Sequence, residues 1–207
     1  MRTLIVGAGA LGGLVGAYLT RAGGDVTLLE VNRARAKLLD ESGIQITRVG
    51  EAEVTLPIHV VTSLDGLDPF DLVFIAVKTY QTMDAVRATL PATHARTRFL
   101  SLQNGVGNAE AIAELVGPER VLAGVTYHSI EHAGPGRLRY RAGIKPIQIA
   151  SFRGGITPDV EAIGTAFRAA GFETTIAENV DHATWQKLLH NAVVNASSAV
   201  TGLSCRE

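Results

Sequence analysis

The chain reads LIVGAGALGG from Leu4 to Gly13, and the GAGALG inside it, Gly7 to Gly12, decides the fold. A G-x-G-x-x-G pattern carries weight only in context: it must close a strand, open a helix and precede a second strand. Leu4–Gly7 is short and wholly apolar, as a buried strand is. Ala10–Arg21 reads as a helix that Gly23 and Gly24 end, and DVTLLE, Asp25–Glu30, is the next strand. In such a unit Gly7 permits a tight turn, Gly9 lets the backbone approach a pyrophosphate, and Gly12 lets the helix pack closely on the sheet. The helix N-terminus adds free N–H donors and a partial positive charge. A glycine-rich packing turn would need the glycines but not this order of elements.

The charge-free run from Thr3 to Thr20 could also be a signal peptide or a membrane helix. Five glycines within it weaken any continuous helix. A buried strand, a tight turn and a buried helix account better for the same apolarity. Glu30 ends the second strand, about 20 residues after the glycines, where an acid can accept from adenosine ribose hydroxyls. An acid there repels a 2′-phosphate and points to NAD. Arg33 and Arg35 follow at once and could receive that phosphate, so NADP stays open.

Downstream, strand and helix keep alternating. Asn32–Ser42 is helical, and Ile44–Val61 holds two or three short strands. DLVFIAV (Asp71–Val77) is apolar on both faces, as parallel strands are. Gln81–Leu90 is helical, RFLSLQ (Arg98–Gln103) a strand, Asn108–Val116 a helix and VLAGVTY (Val121–Tyr127) a strand. This alternation predicts an α/β fold with a doubly wound parallel sheet. GRLRYRA and KPIQIAS, between Gly136 and Ser151, read as two antiparallel strands. Thr157, Pro158 and Asp159 start a helix as cap, first-turn proline and acid, and Gly171 stops it. ETTIAE (Glu173–Glu178) is a last strand. Asp181 caps a final helix that runs to about Val200 and ends at Gly202.

Composition excludes several classes. With 46% hydrophobic and 19% charged residues the chain can bury a core and is not disordered. A net charge of -1 gives no field to draw it to nucleic acid or an acidic membrane. Cys205 is the only cysteine, so no internal disulfide forms, and a reducing cytoplasm is the expected compartment. His128 and His132 lie four apart in strand and loop, which does not bring them together, and no metal is assigned. His182 and His190 read as helix-surface residues.

The last helix poses the sharper question. In WQKLLHNAVVN, Trp185–Asn195, a step of four advances about 40° past a full turn. Thr184, Lys187, Asn191, Asn195 and Ser198 therefore share one stripe, while Trp185, Leu188, Leu189, Ala192, Val193, Ala196, Ala199 and Val200 gather opposite. A solvated polar face usually mixes charges. This one holds a single lysine among amides and hydroxyls, which suits a concave anion site. Lys78 and Asn104 each end a strand, where ligands collect in open sheets. A snorkelling lysine and an ordinary turn asparagine are the plain alternatives.

Five segments together resemble the ketopantoate reductases (2-dehydropantoate 2-reductases): GAGALGG, AVKTYQT (Ala76–Thr82), LQNGVG (Leu102–Gly107), GVTYHS (Gly124–Ser129) and WQKLLHNAVVN. Their order and spacing match over almost the whole chain, and LQNG and W-x-K-x-x-x-N-x-x-x-N are the specific ones. The resemblance implies a Rossmann-type dinucleotide-binding domain, residues 1–170, followed by the start of an all-helical substrate domain, 171–207. It implies reduction of the 2-keto group of 2-dehydropantoate to (R)-pantoate by NADPH, in pantothenate biosynthesis. It places Gly7, Ala8, Gly9, Ala10, Leu11 and Gly12 around the pyrophosphate, Lys78 and Ile130 beside the cofactor, and Asn104 near nicotinamide and substrate. Lys187 becomes the catalytic lysine, and Asn191 and Asn195 substrate contacts.

Two departures stand out. Many members carry a basic residue after the second strand, where this chain has Glu30-Val31-Asn32. The family also continues beyond the point matching Glu207, through helices that supply a catalytic glutamate and a substrate-binding serine. A truncated chain is therefore expected, with three readings: a reductase of the ketopantoate type, a reductase of another 2-keto or β-hydroxy acid, or a dinucleotide-binding module without a finished site. An uncovered apolar helix face predicts a homo-oligomer or poor solubility.

Overall fold

The computed structural model describes residues 1–203; Cys205 lies outside them. Two sheets hold one helix between them. The larger has eight strands in the order β12-β11-β8-β7-β6-β1-β2-β5. Its parallel part comprises β5 (His59–Val61), β2 (Asp25–Leu29), β1 (Arg2–Val6), β6 (Phe70–Ile75), β7 (Thr93–Ser101) and β8 (Val121–Val125). That is the strand order of a Rossmann domain. β11 (Ile147–Ser151) then joins β8 antiparallel, and β12 (Thr174–Ile176) joins β11 parallel.

Helix α1 (Ala10–Arg21) is buried from Gly12 to Leu19. The reason is the smaller sheet: β4 (Glu53–Leu56), β3 (Ile44–Arg48), β10 (Arg137–Arg141) and β9 (Ser129–Gly134). A Cβ on Gly16 would meet Ile5 and Ile58 at 3.1 Å, and one on Gly13 would meet Ile44 at 3.3 Å. The helix therefore presses its glycines on both layers, which accounts for the charge-free run without any membrane segment. Among the described residues no helix is long and apolar enough to cross a membrane.

Helix α2 (Arg33–Ser42) follows β2, and helices α3 (Thr82–Thr89) and α4 (Asn108–Val116) bury Val86, Ile112 and Val116 in a core shared with β1, β6 and β7. Helix α5 (Pro158–Ala169) sends Val160, Ile163 and Phe167 into a core shared with α1 and the smaller sheet. Its expected cap holds: Thr157 Oγ1 accepts from Val160 N at 3.3 Å, worth about 1 kcal/mol.

Three expectations need correction. GRLRYRA and KPIQIAS do not pair with each other. β10 pairs antiparallel with β9 and parallel with β3, while β11 pairs with β8 and β12 in the other sheet. Strand β9 itself was not anticipated. Asp181 is the first residue of α6 (Asp181–Thr201) rather than its cap, which is Val180 and makes no side-chain bond; the acid acts only as a charge in the first turn.

Candidate active site

In an open parallel sheet, ligands gather beyond the carboxyl ends of the strands where the strand order reverses. Here that point lies between β1 and β6. The segments after β1, β6, β7 and β8 bring Gly7–Leu11, Ala76–Lys78, Leu102–Asn104, and Thr126, His128 and Ile130 around one cleft of about 930 Å³. Lys78 lies exposed on its rim, Ile130 half-buried in its wall.

The glycines separate into two kinds. Gly7 sits at φ +105°, and a Cβ there would press on Val77 at 3.0 Å. A Cβ on Gly12 would collide with Gly7 O and touch Ala76. Both are required by the fold. Gly9, the N-cap of α1, has ordinary dihedrals, and a Cβ there would find nothing nearer than Ala76 O at 3.8 Å. The fold does not ask for glycine at Gly9, but a ligand pressed against the uncapped N-terminus of α1 would. The donor set and this open space fit a dinucleotide pyrophosphate.

Glu30 is buried, 6% exposed, at the end of the cleft beside β2. Its Oε1 accepts from Asn32 N at 2.7 Å and its Oε2 from Arg35 at 3.2 Å. Arg35 also lines the cleft, whereas Arg33 is exposed away from it. A carboxylate offers about four acceptor positions, so Glu30 can still take a hydroxyl.

At the other end stands Lys187. Helix α6 turns its polar stripe inward: Thr184, Lys187, Asn191 and Ser198 are half-buried, while Trp185, Leu189 and Val193 are 56%, 67% and 68% exposed. Lys187 Nζ donates to Asn104 Oδ1 at 2.6 Å and to the Thr126 carbonyl at 2.5 Å, and lies 5.8 Å from the Tyr127 ring centroid. Burial draws its pKa below the ordinary lysine value, because the site solvates the ammonium less well than water. Asn104 is held in turn, its carbonyl accepting from Asn108 Nδ2 at 3.1 Å.

A second cavity, of about 120 Å³, opens between the N-terminus of α4 and α6 and is lined by Thr184 and Asn191. Gln103, Asn104 and Lys187 border both spaces. The structure thus gathers Lys187, Asn104 and Asn191, with Lys78, Ile130, Glu30 and the glycine loop along the larger cleft. Asn195 stands apart, exposed and in neither lining. His182 and His190 are on the helix surface, as expected.

Two contributors had not been singled out. Gln103 Nε2 donates to Val77 O at 2.8 Å and to Thr82 Oγ1 at 2.9 Å, tying the loops after β6 and β7 together. An amide directly after a buried strand was its available signal. The Thr126 carbonyl had none, since a backbone acceptor leaves no trace in residue type.

Known proteins resemble this chain in sequence and fold. The family model described as "Ketopantoate reductase PanE/ApbA" matches residues 3–154. The 2-dehydropantoate 2-reductase of Halobacterium salinarum is 37% identical over 203 residues, 97% of this chain and 65% of that protein. That of Pyrococcus horikoshii is 34% identical, with 97% and 64% covered. The crystal structure of 2-dehydropantoate 2-reductase from Geobacter metallireducens superposes with a TM-score of 0.88 at 32% identity, covering 98% of this chain and 66% of that one. The chain thus spans about two thirds of the length of these relatives. With the glycine loop, the inward-facing lysine helix and the match over 3–154 in agreement, the chain belongs to the ketopantoate reductase family.

Proposed function

We propose that this chain carries the dinucleotide-binding domain and the proton-donating lysine of an NAD(P)H-dependent oxidoreductase that reduces 2-dehydropantoate to (R)-pantoate, a step of pantothenate biosynthesis. The observation that carries the reading is Lys187 Nζ, fixed between Asn104 Oδ1 and Thr126 O on the border of the large cleft and the small cavity.

The reduced nicotinamide, when bound, supplies the hydride. The chain's own residues do the rest. The N–H groups of Gly9–Leu11 hold the pyrophosphate. Lys78 and Ile130 flank the bound dinucleotide. Lys187 faces the keto oxygen, offsets the negative charge that grows there and gives it a proton. Its lowered pKa makes that release easier near neutral pH. Asn104 and Asn191 orient the acid by donating and accepting without adding charge; Asn195 belongs to the same ladder one turn further on. The division we propose is a dinucleotide-binding domain through residue 170 and, after it, the start of a helical substrate domain, of which α6 is the principal element.

For the coenzyme, Glu30 supports NADH. A 2′-phosphate would lie against a buried carboxylate whose neighbouring Arg35 is already engaged. A second reading, a dinucleotide-binding module without a complete substrate site, is favoured by the exposure of Asn195. A third, a reductase of another 2-keto or β-hydroxy acid, is favoured by Glu30. The deciding experiment follows oxidation of NADH and of NADPH by the purified chain with a panel of 2-keto acids. Turnover with 2-dehydropantoate above the others supports the first reading. Tight dinucleotide binding with no turnover supports the second, and a different preferred acid the third.

A further inference from the structure

Between β8 in the large sheet and β9 in the small one, Thr126–His128 belong to neither strand ladder. Yet this span carries the carbonyl that accepts from Lys187 and the Tyr127 ring over which its ammonium lies. The His128 side chain supplies what strand pairing does not. Its Nδ1 lies 3.0 Å from Gly143 N and 2.9 Å from the Tyr140 hydroxyl. A backbone N–H can only donate, so Nδ1 is the acceptor, the Tyr140 O–H donates to it as well, and the proton of the neutral ring sits on Nε2. Burial, with Arg48 adding to it, draws the His128 pKa below the usual histidine value and keeps the ring neutral. The ring packs against Tyr140 and Phe172. The backbones also meet: a Cβ on Gly143 would come within 3.0 Å of the Tyr127 carbonyl carbon and 3.1 Å of His128 N.

We propose that His128 is a positioning residue for Lys187: its Nδ1, anchored to Gly143 and Tyr140, sets the Thr126–His128 span so that the Thr126 carbonyl and the Tyr127 ring hold the ammonium at the border of cleft and cavity. The inference rests on the reading of Lys187 as proton donor, but its anchor is testable apart from turnover. Protonation of Nδ1 would set an N–H against the Gly143 N–H, so the device works only with the Nε2–H tautomer.

The test compares His128→Phe, which keeps a ring but no acceptor, with His128→Asn, whose Oδ1 can take the place of Nδ1. Tyr140→Phe and Gly143→Ala disturb the same anchor from the other side. Nitrogen NMR of the wild-type chain should show the Nε2–H tautomer, and NMR of ε-labelled lysine should read the Lys187 titration. In His128→Phe the ammonium, no longer held at the border, turns out into water, so the Lys187 midpoint should rise toward the ordinary lysine value, and kcat should drop roughly tenfold with KM for the keto acid little changed. His128→Asn should restore most of both. An Nδ1–H tautomer, or a Lys187 titration unmoved in His128→Phe and in Gly143→Ala, overturns the proposal; so does equal loss in the Phe and Asn variants. Absence of turnover in the wild type would count against the proposed reaction, while the lysine titration would still decide the positioning.

Discussion

Lys187 is a cation in a site with two neutral acceptors and no carboxylate within ion-pair reach among the described ion pairs. That choice leaves the ammonium strained by desolvation and ready to part with its proton. A proton donor works only while protonated, so activity should fall as pH rises through the Lys187 pKa. Because burial lowers that pKa, the decline should begin at lower pH than for an exposed lysine. A pH profile of kcat/KM reads this directly. Lys187→Ala should lose at least about a hundredfold in turnover, the scale of general acid catalysis, while dinucleotide affinity persists. At the opposite end, Glu30→Ala should improve NADPH binding relative to NADH, since Arg35 is then released toward the phosphate. Coenzyme titration by fluorescence checks it, and an unchanged ratio would remove Glu30 from coenzyme choice.

The elements show which signals are local. α1 and α4 fall on the bounds read from the sequence, because the glycines that begin and end them act within a few residues. The smaller sheet was missed because its central pairing, β3 with β10, joins Gln45 to Arg137. Alternation reveals which face of a strand is buried and says nothing about its neighbour. GRLRYRA alternates and is half-buried, while IQIA lies inside the larger sheet, so the two patterns already differed in kind. At the site, the side chains of the ladder were readable and its backbone acceptor was not. The glycine loop offers a matched test. Gly9→Ala should change stability by less than about 1 kcal/mol yet weaken dinucleotide binding sharply. Gly12→Ala should destabilise by about 1–3 kcal/mol or more, through its clash with Gly7 O. Thermal melts with and without coenzyme separate the two.

On the scale of the whole molecule, α6 reverses the usual arrangement of a surface helix. Most of its polar stripe, Asn195 apart, faces the protein and most of its apolar side faces out, with Val200 88% exposed in addition to Trp185, Leu189 and Val193. A continuous apolar face of this kind marks an interface. The purified chain should therefore self-associate in a concentration-dependent way. Sedimentation should return it toward a monomer when Leu189 and Val193 are both replaced by glutamate. Because those residues point away from the cleft, dinucleotide affinity should be unaffected. A wild-type chain that stays monomeric at high concentration would refute the expectation.

The placement of α1 between two sheets also has a consequence in time. The helix that opens at the glycine loop ends at Arg21, but β10, which completes the layer over it, ends at Arg141. During synthesis Ile44 of β3 can reach the Gly13 side of that helix early, but Leu138 of β10, its other neighbour there, emerges more than a hundred residues after the helix ends. Distant pairings of this sort form slowly and leave apolar surface open meanwhile. A helix made early is thus sealed late, and the nascent chain carries open apolar surface on the very helix that the glycine loop opens.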